Sequence, residues 1–434
     1  MHAISCFRSV RMFMLRGAYQ HLPENINRQS KMKISNPRIT DTGRESRYTV
    51  QVEWKRGLGQ LWFCVSPQYR DLLSGASDAA VAGLLLPAMA HGENIHVAGV
   101  LSAKLWHNLS GPYQMLMRKI IPWLRPISIH AETFCGIKRT PSPTGVATGF
   151  SGGVDSYCTL VDYHIADIPE GVKLTHLLFH NTGSHGHGEK GEKLFRNRYE
   201  RLKPVAERFG LPFIQIDSNL DAFYDDVLGF ELTNSIRNAA AALTLQGEIA
   251  RYLYSSSDTY ENLFVGPMEN MAYCDPVTMP LLSTEQLEIC SVGSEYTRAE
   301  KLLKIVDIPE TRSCLDVCTR GDHAGNCSRC WKCLPTMLRL EMIGVLEKYS
   351  EVFDLNVYRR NRDKYLGEII VGKGDIAKDI RSHAKSMNFR FPLNAYWLIA
   401  GNPKAIKQLP PINAIRNYLK KRALLKKVNR LHPV

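Results

Sequence analysis

The sequence predicts an α/β protein built on a doubly wound parallel sheet, with a small α+β domain before it and a mostly helical region after it. Apolar strand patterns alternate with helical patterns from residue 145 to about residue 265, as is typical of parallel sheets covered by helices on both faces. A glycine-rich turn directly follows the first of these strands. The 434 residues, 44% of them hydrophobic, suffice for two or three domains of ~150 residues each.

Residues 33–135 form the predicted α+β domain. Alternating apolar residues indicate its strands, and apolar runs that follow capping residues or end at glycine and proline indicate its helices. The expected elements are a hairpin over 48–65, a helix capped by Ser77 or Asp78 that runs to Met89, a strand at 95–97, a helical stretch over 102–123 interrupted at Gly111-Pro112, and a strand at 127–130. The domain carries no motif that indicates chemistry.

Residues 145–340 form the central α/β domain, and a proline-containing linker over 138–144 precedes it. Short apolar runs predict its strands, and longer patterns with helical spacing predict its helices. The expected elements are strands at 145–150, 174–179, 213–216 and 262–265 and helices at 153–166, 190–209 and 234–254. Because ligands of doubly wound sheets lie at the carboxyl ends of the strands, we expect the site at the turn after the first strand.

The net charge of +13 comes entirely from the two ends of the chain. Residues 1–32 carry +4 and residues 404–434 carry +9, so the body between them is neutral. A neutral body favours a small-molecule enzyme, whereas the tail, with a predicted basic helix over 414–428, suits either RNA or solvent. We expect residues 341–434 to be a mostly helical region that ends in this basic tail.

The chain has no apolar stretch of the ~20 residues that a membrane-spanning helix needs, and no secretion signal opens it. We therefore expect a cytoplasmic protein with no membrane partner. Residues 1–32 are interpreted as a dispensable or mis-called N-terminus, with a transit peptide as the alternative.

The turn after the first central strand reads Ser151-Gly152-Gly153-Val154-Asp155-Ser156 and opens a helix. Two glycines let backbone N–H groups approach an anion, the helix N-terminus favours negative charge, and two serine hydroxyls add donors. A carboxylate one turn into the helix suits a Mg²⁺ ion carried by phosphates. The alternative is a tight turn in which Ser151 or Asp155 only caps the helix, but the order of the six residues favours a phosphate-binding loop.

Five of the eleven cysteines lie between positions 314 and 333. The spacing Cys318-x8-Cys327-x2-Cys330-x2-Cys333 supplies four thiols to one tetrahedral ion, and zinc is the expected species. A redox-active group and an iron–sulfur cluster are the alternatives. Cys314 competes with Cys318 for the fourth ligand position.

The glycine loop resembles the phosphate loop of the PP-loop, or N-type, ATP pyrophosphatases, which cleave ATP to AMP and pyrophosphate and adenylate an oxygen of their substrate. Together with the cysteine spacing, it is similar to the 7-cyano-7-deazaguanine synthase family, which converts a deazaguanine carboxylate to a nitrile with ATP and ammonia. The resemblance covers about residues 145–340. It implies an adenine nucleotide α-hydrolase-like (HUP-type) fold and the cofactors ATP, Mg²⁺ and Zn²⁺.

The resemblance also implies roles for individual residues. The implied nucleotide-binding residues are Ser151, Gly152, Gly153, Val154, Asp155, Ser156 and Phe179, the catalytic residues are Asp155 and Arg298, the substrate-binding residues are Arg237, Asn238, Gly266 and Glu269, and the zinc ligands are Cys318, Cys327, Cys330 and Cys333. Asp155 would bind Mg²⁺, and Arg298 stands where the family has lysine. Arg237 as a surface residue and Asn238 as a helix cap are the plainer alternatives.

A histidine-rich stretch replaces the family's own residues after the second strand. Its members are His180, His185 and His187, which suit contacts with substrate or solvent better than a second metal site. Substrate identity is therefore less constrained than the chemistry.

Together these features predict an ATP-dependent ligase or synthase that forms a C–N bond. We expect adenylation of a carboxylate on a 7-deazaguanine-type base, then attack of ammonia or an amine to give an amide or nitrile. Two alternatives stay open: ligation of the deazaguanine to a protein amine, as in relatives recruited to antiviral systems, and tRNA modification or RNA binding through the basic tail. The expected partners are a small-molecule carboxylate and an amine donor, and a homodimer is compatible with them.

Overall fold

A computed structural model describes residues 31–137, 142–186, 188–224, 228–320, 325–392 and 394–395. The expected dispensable N-terminus up to residue 30 and the expected basic helix over 414–428 lie outside these residues. The described residues form a large, mixed, mostly parallel sheet of 11 strands with helices packed on it, which confirms the α/β class. None of the helices in these ranges has both the length and the apolar character needed to cross a membrane.

The strands and helices alternate along most of the chain. The strands are β1 (Lys31–Ile34), β2 (Arg38–Asp41), β3 (Ser46–Trp54), β4 (Gly57–Val65), β5 (Asn94–Ser102), β6 (Ile129–Cys135), β7 (Gly145–Gly149), β8 (His176–Asn181), β9 (Phe213–Ser218), β10 (Ile249–Ser255) and β11 (Glu288–Val292). The helices are α1 (Asp78–His91), α2 (Ala103–Ser110), α3 (Pro112–Ile120), α4 (Val154–Leu160), α5 (Gly188–Arg208), α6 (Phe230–Leu243), α7 (Asp275–Thr278), α8 (Arg298–Ile305), α9 (Thr311–Cys314), α10 (Cys333–Ile343), α11 (Leu355–Val371) and α12 (Asp375–Ser386).

Five strands of the central region are all parallel, in the order β9-β8-β7-β10-β11. Alternate residues of these buried strands enter two different cores, because successive side chains of a strand point to opposite faces. In β7, Val146 packs with α4, α5 and α8, whereas Ala147 packs with α1 and α6. Helices therefore cover both faces of the sheet. The chain runs from β7 to β8 and β9 on one side and then returns to β10 on the other side of β7, so the loop after β7 opens at the switch point where such sheets bind ligands.

The N-terminal strands continue the same sheet. Strand β4 pairs antiparallel with β9 through Phe63 opposite Ser218 and Cys64 opposite Asp217, and β3, β1, β5 and β6 follow outward. Helix α1 packs on α6, and residues of both regions share one hydrophobic core. The segment predicted as a small α+β domain thus shares its sheet and its core with the central region.

Buried Asp78 links these two regions. Its carboxylate accepts hydrogen bonds from the backbone N–H and the hydroxyl of Ser102, each at 2.8 Å, and from Nε2 of Gln246 at 2.7 Å. Burial raises the pKa of Asp78. Ser77 is the N-cap residue of α1, as predicted, but neither its hydroxyl nor the carboxylate of Asp78 makes a capping hydrogen bond. Asp78 instead satisfies polar groups of β5 and of the turn after α6.

Two predicted elements of the central region are also wrong. The helix predicted over 234–254 ends at Leu243, and its last part is the parallel strand β10. Tyr252 and Leu253 alternate between the two cores there, so the period is that of a strand. The strand predicted over 262–265 is an exposed irregular segment, and β11 lies further along the chain, at Glu288–Val292.

The chain after residue 340 is helical up to Ser386, as predicted for this region. Helices α10, α11 and α12 enclose a third core, which includes Leu338, Ile369 and Ile380. Helices α10 and α12 both contact α8. This bundle therefore packs beside the helix that carries Arg298.

We expect Asp78→Ala to lower the free energy of unfolding by about 2–4 kcal/mol, because the N–H of Ser102 and the amide of Gln246 lose their buried acceptor. Urea denaturation of the full chain would measure it. Asp71→Ala is the matched control, since Asp71 has 93% of its side chain exposed and should change stability by less than about 0.5 kcal/mol. Equal effects of the two substitutions would contradict the linking role of Asp78.

Candidate functional site

The glycine loop makes a sharp turn between β7 and α4. Gly152 has a φ of +73°, and a Cβ there would lie 2.4 Å from Cδ2 of Leu202 and 3.1 Å from the carbonyl oxygen of Cys314. Only glycine fits this conformation and this space. Gly153 is the N-cap of α4 and no side chain caps the helix, so the interpretation of the loop as a simple capped turn is wrong.

Asp155, in the first turn of α4, is held between two cations. Nη1 of Arg298 forms an ion pair with one carboxylate oxygen, and Nζ of Lys301 lies 3.1 Å from the other. Lys301 is 1% exposed and also donates to the carbonyl oxygen of Ser256 at 2.5 Å. Burial alone would raise the pKa of Asp155, but the charges of Arg298 and Lys301 outweigh it and hold that pKa well below its usual value. The carboxylate is therefore ionised at neutral pH.

The local sequence of α8 explains how both cations reach Asp155. Thr297 and Glu300 form a capping box, in which Thr297 accepts from the N–H of Glu300 at 3.2 Å and Glu300 accepts from the N–H of Thr297 at 2.8 Å. The helix therefore begins at Arg298, and Lys301 follows one turn later on the same face. Helix α8 packs against α4. Sequence reasoning found Arg298 and missed Lys301, although the spacing of three residues was the available signal.

A cavity of about 350 Å³ lies over the loop and the carboxyl ends of β7 and β8. It is lined by eight of the residues expected from the sequence: Ser151, Gly153, Asp155, Ser156, Phe179, Asn238, Arg298 and Cys318. Gly152 underlies the turn, and Val154 is buried in the core. The structure thus brings the expected nucleotide-binding and catalytic residues to one cavity.

The four expected substrate-binding residues are not all together. Asn238 lines the cavity and accepts from the hydroxyl of Thr182 at 3.0 Å. Arg237 is 2% exposed, forms an ion pair with Asp221 and donates to the carbonyl oxygen of Thr182 at 3.1 Å, so it supports the cavity wall from behind. Gly266 is buried, Glu269 is exposed, and neither lines this cavity.

A polar wall faces the cavity from the α6 side, and three of its residues, Asn234, Tyr252 and Tyr254, are not predicted from the sequence. It consists of His180, Asn234, Tyr252 and Tyr254 together with Asn238. Burial lowers the pKa of His180 to about 4, and its Nε2 has no hydrogen-bond partner among the described residues. These residues come from three separate elements, so only the folded sheet assembles the wall. Its hydrogen-bonding groups suit a planar polar ligand.

The histidines of the expected stretch lie in different surroundings. His180 and His185 line the cavity, and His187 lies outside the described residues. Burial lowers the pKa of His185 to about 3, with the charge of Arg198 adding to the effect. Both described histidines are therefore neutral at pH 7. Within the described ranges, the single group suited to a metal ion contains cysteines and no histidine.

Buried Asp275 supports this wall from behind. Its carboxylate accepts a hydrogen bond from the hydroxyl of Ser235 at 2.5 Å, and Ser235 also lies 3.5 Å from the hydroxyl of Tyr254. Burial raises the pKa of Asp275 to about 7 and outweighs the hydrogen bond from Ser235. The folded protein therefore holds a proton on Asp275 over a pH range in which an unfolded chain would release it.

The four cysteines predicted as zinc ligands converge. All their sulfur atoms lie within 4.8 Å of one another, and the pairs Cys318–Cys330 and Cys327–Cys333 are 3.9 Å apart. Sulfurs at 2.3 Å from one tetrahedral Zn²⁺ would be roughly 3.8 Å apart, so the cluster can hold a single metal ion such as zinc. Cys314 donates instead to the carbonyl oxygen of Arg201 at 3.4 Å and stands outside the cluster. The structure thus favours Cys318 over Cys314.

The segment before the cysteine cluster braces the glycine loop. The N–H of Asp316 donates to the carbonyl oxygen of Gly152 at 2.7 Å, and the Asp316 carboxylate forms an ion pair with Arg201 of α5. Cys318 and Lys332 of the cluster segment line the cavity. The metal site and the loop therefore belong to one connected structure.

A second cavity, of about 490 Å³, lies between the central region and helices α10 and α12. Arg298 and Lys332 line both cavities, so these two cations stand at the junction. Asp258 and Glu261 contribute carboxylates to the second cavity, and Trp331 contributes an aromatic ring that is 54% exposed.

Comparisons with protein-family models, with curated proteins and with solved structures gave no match to this chain. The chemistry is therefore inferred from the geometry and from the sequence resemblance. The arrangement offers cations for phosphates, an ionised carboxylate for a hard metal ion, and a polar wall for a planar ligand.

We expect Cys330→Ser to abolish metal binding and Cys314→Ser to retain it, because Cys330 is one of the four converging sulfurs and Cys314 is not. Metal content per chain, measured by plasma mass spectrometry after purification with added zinc, would test this. The Cys330 variant should also unfold at a lower denaturant concentration, since the bound ion stabilises only the folded state. Loss of zinc in both variants would count against the ligand set.

Between about pH 4 and pH 7, we expect wild-type stability to fall relative to Asp275→Asn by up to roughly 4 kcal/mol. The sign follows from the raised pKa of Asp275: unfolding releases its proton in this window, so higher pH favours the unfolded state. Denaturation of both proteins at pH 5 and pH 8 would measure about 3 kcal/mol of this change, because the rest occurs below pH 5. An identical pH dependence would show that Asp275 does not hold a proton in the fold.

Proposed function

We propose that the protein adenylates a carboxylate with ATP, releasing pyrophosphate, and transfers the acyl group to ammonia or an amine to give an amide or nitrile. The supporting observation is the glycine loop at the switch point of the parallel sheet, with ionised Asp155 between Arg298 and Lys301. Doubly wound sheets bind phosphates at the loop that lies at this switch point. An ionised carboxylate such as that of Asp155 is a suitable ligand for the Mg²⁺ that accompanies those phosphates.

The sheet supports the proposed kinship with the adenine nucleotide α-hydrolase-like, HUP-type fold. Numbered from β7, its parallel strands stand in the order 3-2-1-4-5, the arrangement of nucleotide-binding doubly wound sheets. The loop, the cysteine spacing and the Thr-Arg-Ala-Glu segment of α8 are the features that resemble the PP-loop enzymes. The 7-cyano-7-deazaguanine synthase family is the proposed relative.

In the proposed reaction, a carboxylate oxygen of the substrate attacks the α-phosphorus of ATP, and the bond to the β-phosphate oxygen breaks. The amine nitrogen then attacks the acyl carbon, AMP leaves, and the nitrogen loses a proton, which gives the amide. With ammonia as the nucleophile, the amide oxygen can attack a second ATP in the same way, and loss of AMP and of the two remaining nitrogen protons gives the nitrile. The loop N–H groups and the hydroxyls of Ser151 and Ser156 would hold phosphate oxygens, and Asp155 would hold the Mg²⁺ that ATP carries. This is electrostatic catalysis that needs no protein nucleophile.

The two cations around Asp155 have different proposed roles. Lys301 is fully buried and bonded to the carbonyl oxygen of Ser256, so it stays with Asp155 as a fixed counter-ion. Arg298 has 23% of its side chain exposed and faces the cavity, so it can turn to the phosphates. Its planar guanidinium can bind two phosphate oxygens at once.

The polar wall supports a planar base as the substrate. Neutral His180, Asn234, Asn238 and Tyr254 offer donors and acceptors at one side of the cavity, as the edge of a 7-deazaguanine-type base requires. The carboxylate of such a base would point to the loop, where the cations lie.

The second cavity favours one variant of this function, in which the attacking amine belongs to a protein. Ammonia needs no cavity of about 490 Å³ lined by carboxylates and an exposed tryptophan. Mass spectrometry of proteins incubated with the enzyme, ATP and 7-carboxy-7-deazaguanine would distinguish ligation from the release of a small product. RNA modification or RNA binding rests on the basic tail over 404–434, which lies outside the described residues.

We expect Asp155→Asn to reduce ATP–pyrophosphate exchange by about 100-fold or more in the presence of 7-carboxy-7-deazaguanine, because the phosphates lose the carboxylate that binds their metal ion. Asp162→Asn is the matched control: Asp162 lies two turns later, pairs with Lys304 at 2.5 Å and does not line the cavity. Exchange that persists unchanged in Asp155→Asn would refute the proposal.

A further inference from the structure

The side chain of Lys332 lies near the guanidinium of Arg298 and forms no ion pair among the described residues. Both side chains line the first and the second cavity. Among the described residues, none accepts a hydrogen bond from Nζ of Lys332 or forms an ion pair with it. Its Nζ lies 5.0 Å from the centroid of the Trp331 ring, and the charges of Asp155, Glu231 and Cys330 act on it from beyond ion-pair distance. Two neighbouring cations that are shielded from water are unfavourable unless an anion joins them.

The carboxylates around the first cavity do not fill this role. Asp155 is occupied by Arg298 and Lys301, and Asp316 by Arg198 and Arg201. Glu231 lies in the lining but is exposed and forms no ion pair with Lys332 among the described residues. No carboxylate of this cavity forms an ion pair with Lys332 among the described residues, so a phosphate group bound there would supply one.

We propose that Lys332 binds the polyphosphate of the nucleotide together with Arg298, and that the cysteine cluster holds Lys332 in place. The inference rests on the proposed function, because it assigns a further residue to the same phosphate site. It also gives the metal site a role beyond stability, since ion binding would fix a cation that contacts the substrate.

The position of Lys332 in the cluster explains the second part of the proposal. It is the N-cap residue of α10 and lies between two members of the cluster, Cys330 and Cys333. The N–H of Cys333 donates to Sγ of Cys330 at 3.4 Å, which closes the turn that presents Lys332 to the cavity. A metal ion bound by both sulfurs would fix this turn, whereas its loss would free the lysine backbone.

The test is the affinity of the full-length protein for the α,β-methylene analogue of ATP with Mg²⁺, measured by calorimetry. Lys332→Met keeps the aliphatic stem and removes the charge, so we expect binding to weaken roughly 10- to 100-fold with the zinc content unchanged. Lys332→Arg should restore most of the affinity. Arg329→Met is the control in the same loop, because Arg329 is exposed and lines neither cavity, and its affinity should equal that of the wild type.

Removal of the metal with a chelator tests the coupling. It should weaken analogue binding by the wild-type protein but add little in Lys332→Met, where the lysine no longer contributes. Unchanged affinity in Lys332→Met would overturn the inference and leave the proposed function standing. Equal weakening of both proteins by the chelator would overturn the coupling to the cysteine cluster. A wild-type protein that does not bind the analogue would overturn the proposed function, and this inference with it.

Discussion

The carboxylate of Asp155 between Arg298 and Lys301 is the interaction on which the site depends. It joins the first turn of α4, which follows β7, to the first turn of α8, which follows β11 at the edge of the parallel strands. Without Arg298 and Lys301, burial would favour a neutral Asp155. Without the carboxylate, Arg298 and Lys301 would lose their ion pairs near a third cation, Lys332. The same contacts that keep this group charged therefore also set the distance between the two helices.

The cysteine cluster extends this structure on the other side of the glycine loop. Asp316 bonds to the backbone of Gly152 and forms an ion pair with Arg201, and Cys318 lies two residues further on. Gly152 in turn has no space for a side chain, because Leu202 of α5 and the carbonyl oxygen of Cys314 close around it. The loop is thus held by the side chain of Leu202, the carbonyl oxygen of Cys314 and the backbone N–H of Asp316, as a rigid anion site requires.

The local features of the site could be predicted from the sequence, and the assembled ones could not. The glycine loop and the four cysteines are short motifs whose geometry follows from their own spacing, so both were found. The role of Lys301 depends on the packing of α8 against α4, and the polar wall depends on the register of β8 beside β7. The sequence predicts a helix where β10 lies, because the alanine-rich run of α6 leads into this strand with only a short turn at 244–248. The join between β4 and β9 involves residues far apart in the chain, and no local pattern indicates it.

One face of helix α6 packs against α1 and the other lines the first cavity. The N-terminal region, which carries no catalytic motif, therefore helps to shape the site. The alanines at 239–242 are buried. Ala240 lies close to α1, since a Cβ added to Gly83 would be 3.4 Å from the Cβ of Ala240. Asn234 and Asn238 of the same helix face the cavity. The packing of α1, in the N-terminal region, against α6 therefore fixes the position of α6 and with it the width of the first cavity. A bulkier residue at Gly83 would push α6 towards the first cavity and narrow it, although α1 itself does not line that cavity.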